Sequence, residues 1–214
     1  MGLDAARIRE SLGRLRAADS SEFGADSHRF LLNKPLTEAV ISAFETLHRV
    51  RLPEEYRAFL TEVGNGGAGP CYGVFPLGMM DSGFEFAPWQ EEGDFVGVLS
   101  KPFPFETEWN DLSGMPSDDL LERDEAGYWA SLDEFDKYYW GNSFMNGAIP
   151  ICHEGCALRI WLVVTGPQAG CLWHDGRADR AGLAPLRLDN GNEATFASWY
   201  EGWLDKALRS ARLA

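Results

Sequence analysis

The residues of this 214-residue chain with the best spacing for chemistry are Cys152 and Cys156, with three residues between them in a Cys-x3-Cys pair, and Cys171 and His174 in a Cys-x2-His pair. A Cys2His2 set suits tetrahedral zinc, and the two pairs could meet across adjacent strands. Two features weigh against a metal. Cys152 and Cys171 lie in apolar runs, where a thiol behaves as a small buried apolar group, and the three-residue spacing is looser than that of compact zinc loops. No metal and no cofactor are therefore expected. His153-Glu154 lacks the second histidine at helical spacing that a zinc peptidase needs. Gly64 to Gly69 is rich in glycine, but it follows a helix instead of opening one and lacks the Lys-Ser/Thr of a phosphate loop. No serine occupies a G-x-S-x-G elbow, and no carboxylate stands in an apolar run that would raise its pKa for acid–base work. These patterns point away from an enzyme.

Charge is the stronger signal. The chain carries 33 acids and 19 bases, a formal charge of −14. Residues 1–80 and 137–214 are each close to neutral, whereas residues 81–136 hold 16 acids, from Asp81 to Asp136, against Lys101 and Arg123. The middle segment thus holds the whole net charge. One reading is a solvated surface that aids solubility. The sharper one is a docking face, because a patch of one sign repels itself in the free protein and steers cationic partners. The same segment contains ten aromatics, among them Trp89, Trp109 and Trp129, and aromatic anchors rimmed by charge suit a protein interface. The acids expected to bind a partner are Glu91, Glu92, Asp94, Asp118, Asp119, Glu122, Asp124 and Glu125, chosen on charge clustering alone. Phosphates would be repelled, so direct binding of nucleic acid is not expected.

The 45% apolar content and 27 aromatics exclude a globally disordered chain, and no apolar stretch reaches the roughly 20 residues that span a bilayer. Arginines near the N-terminus alternate with acids, with no apolar core of a secretory signal. Four cysteines are too few for a disulfide scaffold. A cytoplasmic protein with reduced thiols and no membrane association is the expectation.

Several elements must position these residues. Leu52-Pro53-Glu54-Glu55 opens a helix with Tyr56, Phe59, Leu60 and Val63 on one face, stopped by Gly64. Thr37 caps a helix whose Val40, Phe44 and Leu47 share a face, and Ile8, Leu12 and Leu15 form a weaker stripe. Ser131 to Glu134 has the capping-box pattern of a short aromatic helix through Trp140. Thr195 caps a C-terminal helix with Phe196, Trp199, Tyr200, Trp203, Leu204, Ala207 and Leu208, which reads as laid on a sheet. Ala148–Cys152, a turn at 153–155, Leu158–Thr165 and Gly170–Trp173 read as an antiparallel meander, with Tyr72–Leu77 and Phe95–Leu99 as further short strands. Helices grouped around antiparallel strands argue for a single-domain α+β fold.

Three blocks resemble one family. Leu52-Pro53-Glu54-Glu55-Tyr56-Arg57-Ala58-Phe59-Leu60 with Asn65-Gly66-Gly67-Ala68-Gly69-Pro70 and Tyr72-Gly73 resembles the L-P-x-x-Y-x-x-F-L helix and N-G-G turn of the SUKH superfamily. Gly147 to Cys152, Gly155-Cys156, Trp161 to Gly166, Gly170 and Trp173 are similar to its strand-turn-strand region, and Phe196 to Leu204 to its terminal F-x-x-W-x-x-x-W-L helix. The resemblance divides the chain into a helical extension at 1–35, an α+β domain at 36–206 with the acidic segment 81–136 as an insert, and the helix end at 207–214. It implies a twisted, largely antiparallel sheet flanked by helices, no catalytic centre and no cofactor. It also implies a protein-binding role. Bacterial relatives are commonly immunity proteins that neutralise a toxin, often a nuclease, and fungal relatives are regulatory adaptors. A cationic toxin domain is the expected partner, a regulatory or scaffold role the alternative, and a metal-binding enzyme or redox protein the remaining one.

Overall fold

The computed structural model describes residues 3–82, 85–93 and 95–213. The chain begins with α1 (Ala5–Ala17), a single helical turn α2 (Ala25–His28), α3 (Glu38–His48) and α4 (Glu54–Ala58). A two-stranded hairpin follows, β1 (Met79–Ser82) with β2 (Glu85–Pro88), and then α5 (Asp118–Arg123) and α6 (Glu125–Tyr139). The meander β3 (Ala148–Gly155), β4 (Leu158–Val163), β5 (Leu172–Asp175) and β6 (Leu183–Pro185) precedes the final helix α7 (Phe196–Ser210). The fold is a single-domain α+β arrangement, and the described residues form two antiparallel sheets, β1–β2 and β3–β4–β5–β6.

The Pro53 helix forms as its periodicity predicts, with one change. After Ala58 the backbone widens into a π-helical turn over Phe59–Val63, closed by the Gly64 amide on the Phe59 carbonyl at 2.9 Å. That turn buries Phe59, Leu60 and Val63 together. Beyond it, Gly67 has φ +100°, and a Cβ there would lie 2.5 Å from the Leu31 carbonyl oxygen. Only glycine fits this close crossing.

Consecutive buried residues Ile160 to Val163 show that β4 is covered on both faces, which is why its sequence lacks polar alternation. Both sheet edges are shielded by isolated bridges, Val74 on Cys152 of β3 and Trp109 on Leu183 of β6. Each bridge covers part of an outer strand of the four-stranded sheet, which shortens the open edge that invites aggregation.

Five local expectations are corrected. The β3–β4 turn is at Cys156 and Ala157, both at positive φ as a two-residue hairpin loop demands, so His153 and Glu154 stay in the strand. On α3 the fully buried residue is Ile41, while Val40 and Leu47 are exposed. Helix α6 starts at Glu125, capped by Asp124, and Ser131 lies inside it, its hydroxyl donating to the Gly127 carbonyl at 2.8 Å. Between Tyr72 and Leu77 only Val74 bridges a neighbour, and Phe95–Leu99 forms no strand: Phe95, at φ +73°, and Leu99 lie in turns and 96–98 are irregular. Helix α7 packs chiefly on other helices: it lies beside α1 and α4, with Phe196 against Tyr56 and Phe59.

Candidate functional site

The acidic segment is tied to the sheet at Trp109, whose amide and carbonyl pair with Leu183 at 2.8 Å in both directions. Aromatic rings fill the space beneath it. Trp109 stacks on Tyr139 at 5.5 Å and on Phe105 at 5.3 Å, and Phe103 meets Trp173 at 4.8 Å. Helix α6 inserts Phe135 and Tyr139 into this layer, and the Tyr139 hydroxyl donates to Asn110 Oδ1 at 2.7 Å.

Two arginines from the turn after β5 hold α6 in place. Arg177 is fully buried; its Nε and Nη2 donate to the two carboxylate oxygens of Asp175 at 2.9 and 2.7 Å, and its Nη1 to the Tyr139 carbonyl at 3.3 Å. Its guanidinium lies 4.8 Å from the centre of the Trp140 ring. Arg180 pairs with Asp136 at 2.7 Å and lies over Phe135 at 5.1 Å. A buried guanidinium is tolerated because its planar fork is matched by carboxylate and carbonyl acceptors. Neither arginine stands out in the sequence. The Asp175-Gly-Arg177 spacing at a strand end is the one available clue, and it does not encode burial.

The structure sorts the aromatics of the segment. Trp89, Phe103 and Phe135 are core, and Trp109 is half-buried against it. Trp129, by contrast, is 52% exposed on α6; also exposed are Leu121 on α5 and, on the opposite side of α6, Tyr138, whose hydroxyl donates to Asp111. The acids separate in the same way. Asp118, Asp119 and Glu122 on α5 are exposed, as are Glu92, Asp124 and Glu125. Asp124 caps α6 by accepting from the Gly127 amide at 3.0 Å, and Glu125 Oε1 lies 3.4 Å from Trp129 Nε1. Glu91 is half-buried and faces inward: its Oε1 lies 2.8 Å from His48 Nδ1 and accepts from the Leu99 amide at 3.3 Å. Asp94 lies outside the described residues. Asp118, Asp119, Glu122, Asp124 and Glu125 thus lie on α5 and at the start of α6, where Leu121 and Trp129 are also exposed, while Glu92 lies apart in the 91–99 loop and Glu91 links that loop to α3.

The cysteine pairs do not assemble a metal site. Cys152 is buried in β3, Cys156 is exposed in the turn, Cys171 faces Glu193 at 3.7 Å and His174 Nε2 faces Glu154 at 3.0 Å. Among the described residues no three His, Cys, Asp or Glu side chains converge to hold a metal ion. The fold instead brings Cys71, remote in sequence, to Cys152. The neighbouring Cys152 thiol holds the Cys71 pKa below its ordinary value, and burial pushes that of Cys152, whose Sγ lies 3.4 Å from the Pro70 carbonyl oxygen, well above it. Among the described residues no helix is long and apolar enough to cross a membrane.

A family model described as the SMI1 / KNR4 family (SUKH-1) matches residues 35–181. No curated protein and no solved structure gives a match. The matched residues run from the start of α3 through the glycine turn and the acidic segment to the turn that carries Arg177, so they include the motifs of the helix and the sheet together with the acidic face. The chain belongs to the SMI1 / KNR4 family (SUKH-1).

Proposed function

We propose that the protein is a non-enzymatic, cytoplasmic protein-binding domain that acts as an immunity protein, neutralising a cationic toxin domain such as a nuclease. Family membership supports a binding role of immunity or regulatory type. The observation that favours the immunity reading is the surface of α5 and the first turns of α6, where Asp118, Asp119, Glu122 and Glu125 accompany exposed Leu121 and Trp129. A nuclease binds phosphate in a basic groove; an acidic face can occupy that groove by charge, with the aromatic and aliphatic side chains as desolvated anchors. Helix α6 is pinned at its C-terminal end by Arg177 and Arg180, so the face is presented on a rigid support. Preorganisation of this kind lowers the entropy lost on binding.

The test is inhibition. A toxin domain encoded beside this gene should lose its activity on adding the protein and regain it with a variant carrying Asp118→Lys, Glu122→Lys and Trp129→Ala. Inhibition that survives all three changes would move the interface elsewhere, and a neighbouring gene set without a toxin would favour the regulatory role.

A further inference from the structure

Against the net charge of −14, one surface groove is cationic. It has a volume of about 500 Å³, runs along α7 beside the 187–190 loop, and is lined by Arg187, Lys206 and Arg209 with a single acid, Asp189. Lys206 and Arg209 are exposed, and among the described residues neither side chain makes an ion pair or a hydrogen bond. In a chain with 33 acids and 19 bases, two neighbouring cations without carboxylate partners leave a local positive field available to a ligand.

The same groove carries two half-buried indoles, Trp199 and Trp203. Trp203 rests edge-on against Tyr200 at 5.5 Å and His28 at 6.0 Å, so one side of the ring is fixed by packing while the residue lines the groove. Trp199, Gly202, Trp203 and Lys206 follow i, i+3, i+4, i+7 spacing and form one stripe of α7, away from the buried Tyr200, Leu204 and Leu208. Gly202 is in the middle of this helix, and a Cβ there would meet no atom within 4 Å. Internal packing does not require glycine at this position, and glycine is the poorest helix former after proline. Its missing side chain leaves the backbone beside the indoles open to close approach from outside.

We propose that this groove docks an acidic amphipathic peptide segment of a protein partner, with apolar side chains over Gly202 and the two indoles and carboxylates on Lys206 and Arg209. Lys206 and Arg209 match two carboxylates, whereas Arg187 already meets Glu193 at 3.9 Å and donates to the Gly191 carbonyl at 3.1 Å. A nucleic-acid strand, charged at every phosphate, would run from this short positive stretch into an acidic protein. Helix α7 and the 187–190 loop lie outside the family-matched residues 35–181. No residue of α5 or α6 lines the groove, so the two faces are separate and either can fail without the other.

The test uses a fluorescein-labelled peptide of alternating Glu and Leu, the same peptide with Lys for Glu, and a labelled oligothymidylate, each titrated by anisotropy against the full chain. The acidic peptide should bind and the other two should not. Its affinity should fall about tenfold or more in the variant carrying Lys206→Glu and Arg209→Glu, and fall with added salt. Gly202→Gln should weaken binding while raising the melting temperature, because glutamine is a better helix former; that pairing separates groove filling from misfolding. The proposal is overturned if no acidic peptide binds, if the Lys peptide binds equally, if the oligothymidylate binds in preference, or if the variants keep the wild-type affinity.

Discussion

Arg177 and Asp175 form a two-pronged ion pair in the interior, with the guanidinium fully buried and a third donor on the Tyr139 carbonyl. The pair joins the last turn of α6 to the end of β5, and so couples the acidic face to the sheet.

Replacing Arg177 alone leaves the Asp175 carboxylate buried without its partner. Arg177→Met should cost about 3–5 kcal/mol in urea unfolding, whereas Arg177→Met combined with Asp175→Leu should recover much of that loss. Amide exchange in α6 should accelerate in the single variant. A single variant as stable as the wild type would show that the pair does not hold the helix.

Stability should also depend on pH through His174. The Glu154 carboxylate beside it raises its pKa, burial opposes this, and Asp175 and Asp179 add to the rise. The folded state therefore holds the proton more tightly than the unfolded chain. The stabilisation is fully present below the unfolded value of about 6.5 and is lost as pH rises through the higher folded value. The difference in unfolding free energy between wild type and His174→Gln should shrink from mildly acidic to alkaline pH. A difference that stays constant would mean the two histidine states are equally stabilised.

Acids of the middle segment should divide by role. Glu91→Ala removes the acceptor of the Leu99 amide and the partner of His48, and should cost about 1–3 kcal/mol. Asp124→Ala removes the cap of α6 and should cost about 1 kcal/mol. Glu92→Ala, fully on the surface, should stay within about 0.5 kcal/mol. Equal losses for all three in thermal unfolding would contradict the inward placement of Glu91.

Charge reversal on α5 should act on association more than on folding. Glu122→Lys should change stability by less than about 0.5 kcal/mol, while Asp118→Lys and Asp119→Lys each lose about 0.3–1 kcal/mol because they sit in the first turn, where the helix dipole favours acids. With a cationic partner the association rate should drop and its dependence on salt should flatten, because steering by exposed charge is screened beyond about 10 Å at 0.1 M. A stopped-flow rate that ignores both salt and reversal would mark the patch as a solvated surface.

The sequence by itself determined what depends on neighbours along the chain. Periodicity placed α4 at Pro53 and α7 behind Thr195, the apolar runs placed the antiparallel meander, the motifs indicated the family, and the charge count located the acidic segment. These signals are local because a helix or strand repeats its apolar positions at a fixed interval. The tertiary structure decided which face of an element finds a partner. It buried Ile41 in place of Val40 and Leu47, turned Glu91 inward onto His48, brought Cys71 to Cys152, and set Arg177 onto Asp175 under α6. Each of those outcomes depends on contacts between residues far apart in the chain or on desolvation by them, and neither spacing nor composition carries that information.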